Sequence, residues 1–497
     1  MLAFLKKNRI FIFLLGIILL AFSLRTLGIQ RNLLYHFDQG LHATDIYKIW
    51  HDHKISLLGH ITDVDGLIHA PVYYWLMTPA YFLGKGDPAA ASIFQILLEV
   101  LSLPFLYFAL EYFFNKRTAV ATLILYTISY GMISQSRWLS NVTPIIPFSN
   151  FLLFSLAYQL KKKRKLVWVL VTALTVGIIT QLNAAVGIFL FPFLIWFYRK
   201  SLKIGTILLL LAGFLTPALP VVLFQFRHDF VLVKAVWRFF TTGGKGLGFS
   251  FGIFWTNLKI FFHQVNMATF YPLAAITTVL FLIGLWRVKS QKHAKVIFAY
   301  FLIPFLLLGL FQRGAIGFFF DAMLPLAIAV IVYSLEYFPK LVSFILFWTI
   351  LVVNLIQLPY IYKPTNAVIP IGSGNVITLQ DRKNIIDWMY FKAEGKPFSV
   401  WYYIIPYYHE QPWDYLFNVY AKPKYGYLPE ATHGFNPKEL KTSVYFFAVY
   451  EPEFDERRFG DQERWIRDVK KNWGGISASF RSNDVIVQLR SWCPKAK

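Results

Sequence analysis

The segment "YHFDQGLHATDIYKIWHDHK", residues 35–54, gathers Asp38, Asp45 and Asp52 among His36, His42, His51 and His53, directly after the first apolar run of the chain. Titratable groups beside lipid cost energy, so they either face water or do chemistry. A carboxylate within hydrogen-bond reach of a hydroxyl acts as a general base. Asp38 is the one placed for that role, because it precedes the amphipathic pattern of residues 42–61. In that pattern Leu41, Ile46, Ile49 and Trp50 form an apolar stripe suited to a helix lying along a membrane surface. Asp45, Asp52, His51 and His53 then read as its solvated face, while His36 stands beside Asp38 as a lining residue.

A second cluster lies in "TDVDGLIHAPVYYW", residues 62–75. Asp63 and Asp65, spaced i and i+2, supply hard oxygen ligands of the kind a divalent cation takes; a solvated turn before Gly66 is the plainer reading. Asp38, Asp63 and Asp65 are the metal-ligand candidates, and Mg or Mn is the cation they would suit. His69 sits close to Pro71, which fixes the chain just after it, and Tyr73 follows as a lining candidate.

Three further stretches carry cations. "SRWLSNVTPIIPF" (136–148) contains Arg137 and Asn141, "FRHDF" (226–230) contains Arg227, His228 and Asp229, and "FQRGAIGFFFDAMLP" (311–325) contains Arg313 and Asp321. An arginine at the end of an apolar run either snorkels to lipid phosphate or holds an anionic group of a ligand. Asp321 falls inside the start of an apolar run, where a carboxylate is costly and marks function by default.

The elements that must position these groups are membrane spans. The chain is 57% hydrophobic, 19% aromatic and only 15% charged, a balance outside that of soluble domains. Apolar segments near the ~20 residues needed to cross a bilayer recur at 10–28, 89–114, 118–135, 143–160, 166–183, 184–198, 204–224, 270–287, 296–312, 317–335 and 341–360. Residues 71–84 are too short to cross and read as interfacial or re-entrant. With that segment on the outer surface, the clusters Lys6–Arg9, "NKR" (115–117), "KKKRK" (161–165), "YRKSLK" (198–203), "RVKSQKHAK" (287–295) and "EYFPK" (336–340) all fall on one side, as the positive-inside rule requires. The expected topology is a multi-pass plasma-membrane protein of about eleven spans, with a cytoplasmic N-terminus. Much of the net charge of +23 lies in these clusters as an orientation signal, and it calls for no nucleic acid. The apolar run near the N-terminus lacks a small-residue cleavage site and reads as an uncleaved span. A lone cysteine, Cys493, excludes an intramolecular disulfide.

Two domains are expected: 1–360 in the membrane, and 361–497 as a small extracytoplasmic α/β or α+β domain. In the latter, "FSVWYYII" (398–405), "SVYFFAVY" (443–450) and "DVIVQL" (484–489) read as strands. Residues 382–393 and 461–473 have helical spacing.

The order of Asp38, "HAPVYYWLMTPAYFLGKGDP" (69–88), "SRWLSNVTPIIPF" and "FFFDAMLPLAI" (318–328) resembles the GT-C membrane glycosyltransferases. It is most similar to the branch of protein mannosyltransferases and aminoarabinose transferases. Those enzymes share an Asp-Glu pair in the first external loop, a Pro-Leu-Tyr-Tyr segment before span two, and an arginine at the outer end of span three. Here the pair is Asp38-Gln39 and the segment is Pro71-Val72-Tyr73-Tyr74. Some relatives place Glu-Lys before that proline, where this chain has Ile68 and His69. The loss of both acidic partners weakens the case for an obligatory metal.

The resemblance implies transfer of a sugar from a polyprenyl-phosphate carrier, on the extracytoplasmic face, to a lipid, glycan or protein acceptor. Asp38 would be the base, and His69, Arg137 and Arg313 the cations facing the departing phosphate. A single displacement of this kind inverts the anomeric centre. Two other classes compete: a lipid or sugar transporter or flippase, and a non-catalytic membrane assembly protein.

Overall fold

The computed structural model describes residues 8–60, 68–162, 165–241, 248, 250–310, 314–363, 376–405, 410–430, 443–453 and 455–490. Every expected apolar segment is helical, as lipid demands, because only a helix satisfies all its backbone groups within the segment. The helices are Arg9–Thr26, Pro88–Phe113, Lys116–Ile128, Tyr130–Arg137, Ile145–Lys162, Leu166–Leu182, Ala184–Tyr198, Ile204–Leu215, Ala274–Val288, Ala294–Gly309, Leu324–Leu335 and Lys340–Tyr362. Among the described residues, 6 stretches have the length and hydropathy of a full crossing. Others, such as Leu166–Leu182 and Ala294–Gly309, are shorter. The segment expected at 71–84 is the 12-residue helix Val72–Leu83.

Three expectations change. The run 118–135 is two helices, separated at Ser129, whose side chain accepts from the Met132 N–H and so starts the second. Residues 225–269, which fall between two of the expected spans, are largely helical, with Val231–Thr241 and Phe251–Thr269. Phe251–Thr269 meets Ala274–Val288 at a bend of 97°; Pro272 lies in the break and has no N–H to continue the ladder. The third change concerns residues 42–61. The helix runs Phe37–Trp50, so Asp38 lies in its first turn rather than ahead of it. Leu41 and Ile46, expected to face lipid, are buried, and the helix packs against Gln411–Leu416. Its apolar stripe is used for protein packing.

The described residues form two compact units. One comprises Met1–Leu27, Ile55–Met77 and Ile93–Leu358; the other Gly28–Lys54, Thr78–Ser92 and Pro359–Lys497. In the first, small residues let helices approach closely, as they do wherever helices pack in lipid. A Cβ on Gly177 would stand 2.5 Å from the Phe214 carbonyl oxygen, and one on Gly213 would stand 2.6 Å from that of Leu170.

The second unit is built on a 4-stranded sheet. Strands β1 (Phe398–Tyr403) and β2 (Tyr445–Tyr450) are parallel; β4 (Val485–Arg490) runs antiparallel to β2, and β3 (Ile476–Ser482) antiparallel to β4. The sheet order is β1-β2-β4-β3. Alternation along the strands sends successive side chains to opposite faces. Phe446 and Ala448 pack with Trp465, Val469 and Trp473 of the helix Phe459–Trp473. Phe447 and Phe398 meet Trp388 and Tyr390 of the helix Leu379–Ala393. Helices lie against both faces, which explains why β1, β2 and β4 read as nearly continuous apolar runs.

Candidate functional site

Asp38 is held by its local chain and by the sheet unit. Leu33–Tyr35 runs extended beside Ile377–Leu379: the Tyr35 N–H donates to the Ile377 carbonyl at 3.0 Å, and the Leu379 N–H donates to that of Leu33 at 2.8 Å. His36 then caps the helix. Its backbone N–H donates to Gln39 Oε1 at 2.9 Å, the reciprocal half of a capping box. Asp38 follows in the first turn, half-buried, where the helix dipole favours a negative charge. Gln39 is 2% exposed. Its side chain therefore does the capping work that a glutamate would do at the same position, without the charge.

Around this turn Tyr35, Gln39, Gly40 and Leu41 are buried. Burial, reinforced by the Arg382 guanidinium, pushes the His36 imidazole down to about 4. Its Nε2 is buried with no hydrogen-bond partner among the described residues, so the ring is neutral. Tyr35 is fully buried and its hydroxyl is pushed above the usual phenol range by that burial.

Arg137 ends the helix Tyr130–Arg137 and is buried. Its Nη1 donates to the carbonyls of Arg25 at 2.7 Å and Leu27 at 3.0 Å. It thereby closes the C-terminus of the helix Arg9–Thr26, whose last carbonyls have no intrahelical donors. Asp321 is 1% exposed in the 3-10 turn Gly317–Met323 and accepts from Gln135 Nε2 at 2.8 Å. Gln135 is two residues before Arg137, and Trp138 touches Phe318 with ring centroids 6.1 Å apart. The structure therefore brings the Arg137 turn and the Asp321 turn together.

The other expected residues lie as follows. Asn141 donates to the Leu182 carbonyl at 2.9 Å and accepts from Ser140 Oγ. His69 pairs through its backbone with His60 and Gly59, at 2.8 and 2.7 Å, and is half-buried. Tyr73 is 1% exposed and meets Tyr74 edge-on. His228 is exposed; its Nδ1 lies 2.9 Å from the Phe224 carbonyl, and its ring stacks on Phe224. Asp63, Asp65 and Arg313 lie outside the described residues. Among the described residues no group of three or more His, Cys, Asp or Glu could hold a metal ion.

Sequence reasoning missed two buried ion pairs. Arg382 Nη2 lies 2.8 Å from Glu451 Oε1, with both side chains 1% exposed. The Glu451 carboxyl is pushed up by burial, against the pull of Arg382. Arg25 Nε lies 3.3 Å from Glu99 Oε1, with side chains 0% and 1% exposed. Glu99 could have been found, since a lone carboxylate in the middle of an apolar span demands a partner. Nothing in the local sequence singles out Arg382.

Residues 68–224 match the family of dolichyl-phosphate-mannose-protein mannosyltransferases. The chain is similar in structure to ArnT from Cupriavidus metallidurans bound to undecaprenyl phosphate, with TM-score 0.60 and 11% identity over 96% of this chain and 97% of that one. ArnT in the apo state gives TM-score 0.60 and 12% identity, over 97% and 98%. The Archaeoglobus fulgidus oligosaccharyltransferase in the apo form gives 0.52 and 11%, over 95% of this chain and 73% of that one. No curated protein matches in sequence.

Proposed function

We propose that this chain, which has the GT-C fold, is a glycosyltransferase that moves a sugar from a polyprenyl-phosphate carrier to an acceptor at the extracytoplasmic surface. It does so from about eleven spans, with the N-terminus in the cytoplasm and the C-terminal domain outside. The match of residues 68–224 to the mannosyltransferase family carries the reading. The fold shared with ArnT, whose structure was solved with undecaprenyl phosphate, supports a lipid-phosphate carrier.

Asp38 takes the proton of the acceptor hydroxyl. The oxygen attacks the anomeric carbon, the bond from that carbon to the carrier phosphate breaks, and polyprenyl phosphate leaves with the electron pair. One displacement inverts the centre. The departing phosphate gains charge and needs preorganised cations; His69, Arg137 and Arg313 are proposed for it. Arg137 Nη1 also holds the carbonyls of Arg25 and Leu27. Incubation with a panel of undecaprenyl-phosphate-linked sugars, hexoses and aminoarabinose among them, tests the reading. Release of undecaprenyl phosphate by the wild type, and its loss in Asp38→Asn, supports it.

One observation favours a transport reading: the helix pair bent by 97° has the form of the discontinuous helices that transporters use. Carrier-lipid exchange across liposomes without sugar transfer would favour it instead.

A further inference from the structure

We propose that Arg382 is a positioning residue for Asp38: through Arg382 and Pro412, the C-terminal segment fixes the backbone on both sides of the base. This inference rests on Asp38 being the base.

The helix Leu379–Ala393 starts at a capping box in which the Asp381 N–H donates to Thr378 Oγ1 and the Thr378 N–H donates to Asp381 Oδ2, at 3.1 and 2.8 Å. Ser482 Oγ and Asn483 Nδ2 add donors to the same carboxylate, at 2.7 and 2.9 Å. That fixes the first turn, and Arg382 is its next residue. From there the guanidinium, 1% exposed, does three things. Nε donates to the Tyr35 carbonyl at 3.0 Å. Nη2 pairs with Glu451 at 2.8 Å, whose other oxygen accepts from the Ile405 N–H at 3.2 Å. The guanidinium carbon also lies 4.7 Å above the Trp413 ring. Tyr35 is three residues before Asp38. Two residues after it, Gly40 meets Pro412, so closely that a Cβ there would stand 2.5 Å from the proline nitrogen. The carboxylate therefore sits on a short stretch pinned at both ends by residues distant in sequence. A buried charge is a costly way to hold a strand that already has two backbone hydrogen bonds. It is retained where a planar fork is needed to hold one geometry, which lysine cannot reproduce.

Misplacing a catalytic group by about an ångström costs on the order of 100-fold. Arg382→Lys and the charge-free pair Arg382→Met/Glu451→Met are the variants. The pair is included because a buried ion pair replaced by apolar residues usually leaves the fold stable. Sugar transfer is measured on the full-length protein in nanodiscs at equal folded fraction. We expect kcat to fall about 10- to 100-fold in both variants, KM for the carrier-linked sugar to stay within about twofold, and the acidic limb of the pH–kcat profile to move. Adding Asp38→Asn to Arg382→Lys should cause less further loss than it causes alone. If Asp38→Asn is inactive while both Arg382 variants keep wild-type kcat and pH profile, the positioning role is refuted and the base assignment stands. If Asp38→Asn itself turns over normally, the base assignment falls and this inference with it.

Discussion

The pair Arg25–Glu99 lies among membrane helices, and its removal should be among the costliest single changes in this chain. The break at Ser129 leaves the carbonyls of Tyr126 and Thr127 without helical donors, and both residues are fully buried, so they need a partner within the protein. Arg25 serves them instead, through Nη2 at 3.2 Å and Nη1 at 3.1 Å. Its charge is balanced by Glu99, which also accepts from Tyr126 Oη at 3.0 Å. Breaking a buried pair by removing one partner costs about 3–5 kcal/mol. Glu99→Gln keeps the tyrosine contact and leaves Arg25 its carbonyls, so the low end applies, about 3 kcal/mol. Arg25→Met also orphans two buried carbonyls, at about 1–3 kcal/mol each, and should cost more. The double variant Arg25→Met/Glu99→Gln should be no less stable than Arg25→Met alone, giving a coupling of about 3 kcal/mol. Unfolding in mixed detergent–SDS micelles, followed by tryptophan fluorescence across the four proteins, yields that coupling as a double-mutant cycle. Additive effects, with each single change below about 1 kcal/mol, would refute the claim that the broken helix depends on this charge pair.

Two other outcomes follow from the turn that carries Asp38. Gly40→Ala places a methyl carbon 2.5–2.6 Å from Pro412; overpacking of this kind costs about 1–3 kcal/mol, more than the roughly 1 kcal/mol alanine gains in a helix, so thermal stability and turnover should both drop. His36 is held near 4 in the fold against 6.5 when free. The unfolded chain therefore binds the proton first, and stability present above pH 6.5 is lost as the pH falls toward 4. The loss is about 3 kcal/mol at about 1.4 kcal/mol per pH unit. A melting-temperature profile in His36→Gln should be flatter over that window; an unchanged profile would show that His36 is not responsible.

The spans were legible because lipid permits few solutions: apolar runs near the right length are helical, although 118–135 and 204–224 are each broken into more than one helix. The strands at 398–405, 443–450 and 484–489 were legible from the same apolar density, and β3 was missed because Ile476–Ser482 is mostly exposed and lacks it. The stripe Leu41–Ile46 was visible, but its partner was not. A sequence shows that a face is apolar without saying whether lipid or the helix Gln411–Leu416 covers it. The same limit hid Arg382, whose meaning comes from Tyr35, 347 residues away. Arg137 was found by type and place, yet the carbonyls of Arg25 and Leu27 that it serves depend on how the first helix ends. Gln39 looked like the loss of an acidic partner. In the structure its side chain is a cap that accepts from the His36 N–H, a bond an amide oxygen makes as a carboxylate would.

The central claim is that Asp38 removes a proton during sugar transfer from a lipid phosphate. Purified wild-type protein and Asp38→Asn, both reconstituted in nanodiscs, should bind undecaprenyl phosphate with equal affinity. Only the wild type should release it from the carrier-linked sugar, with turnover in the variant at least 100-fold lower, the low end of the roughly 10²–10⁴-fold range for a general base. Equal turnover in the two proteins would contradict the account.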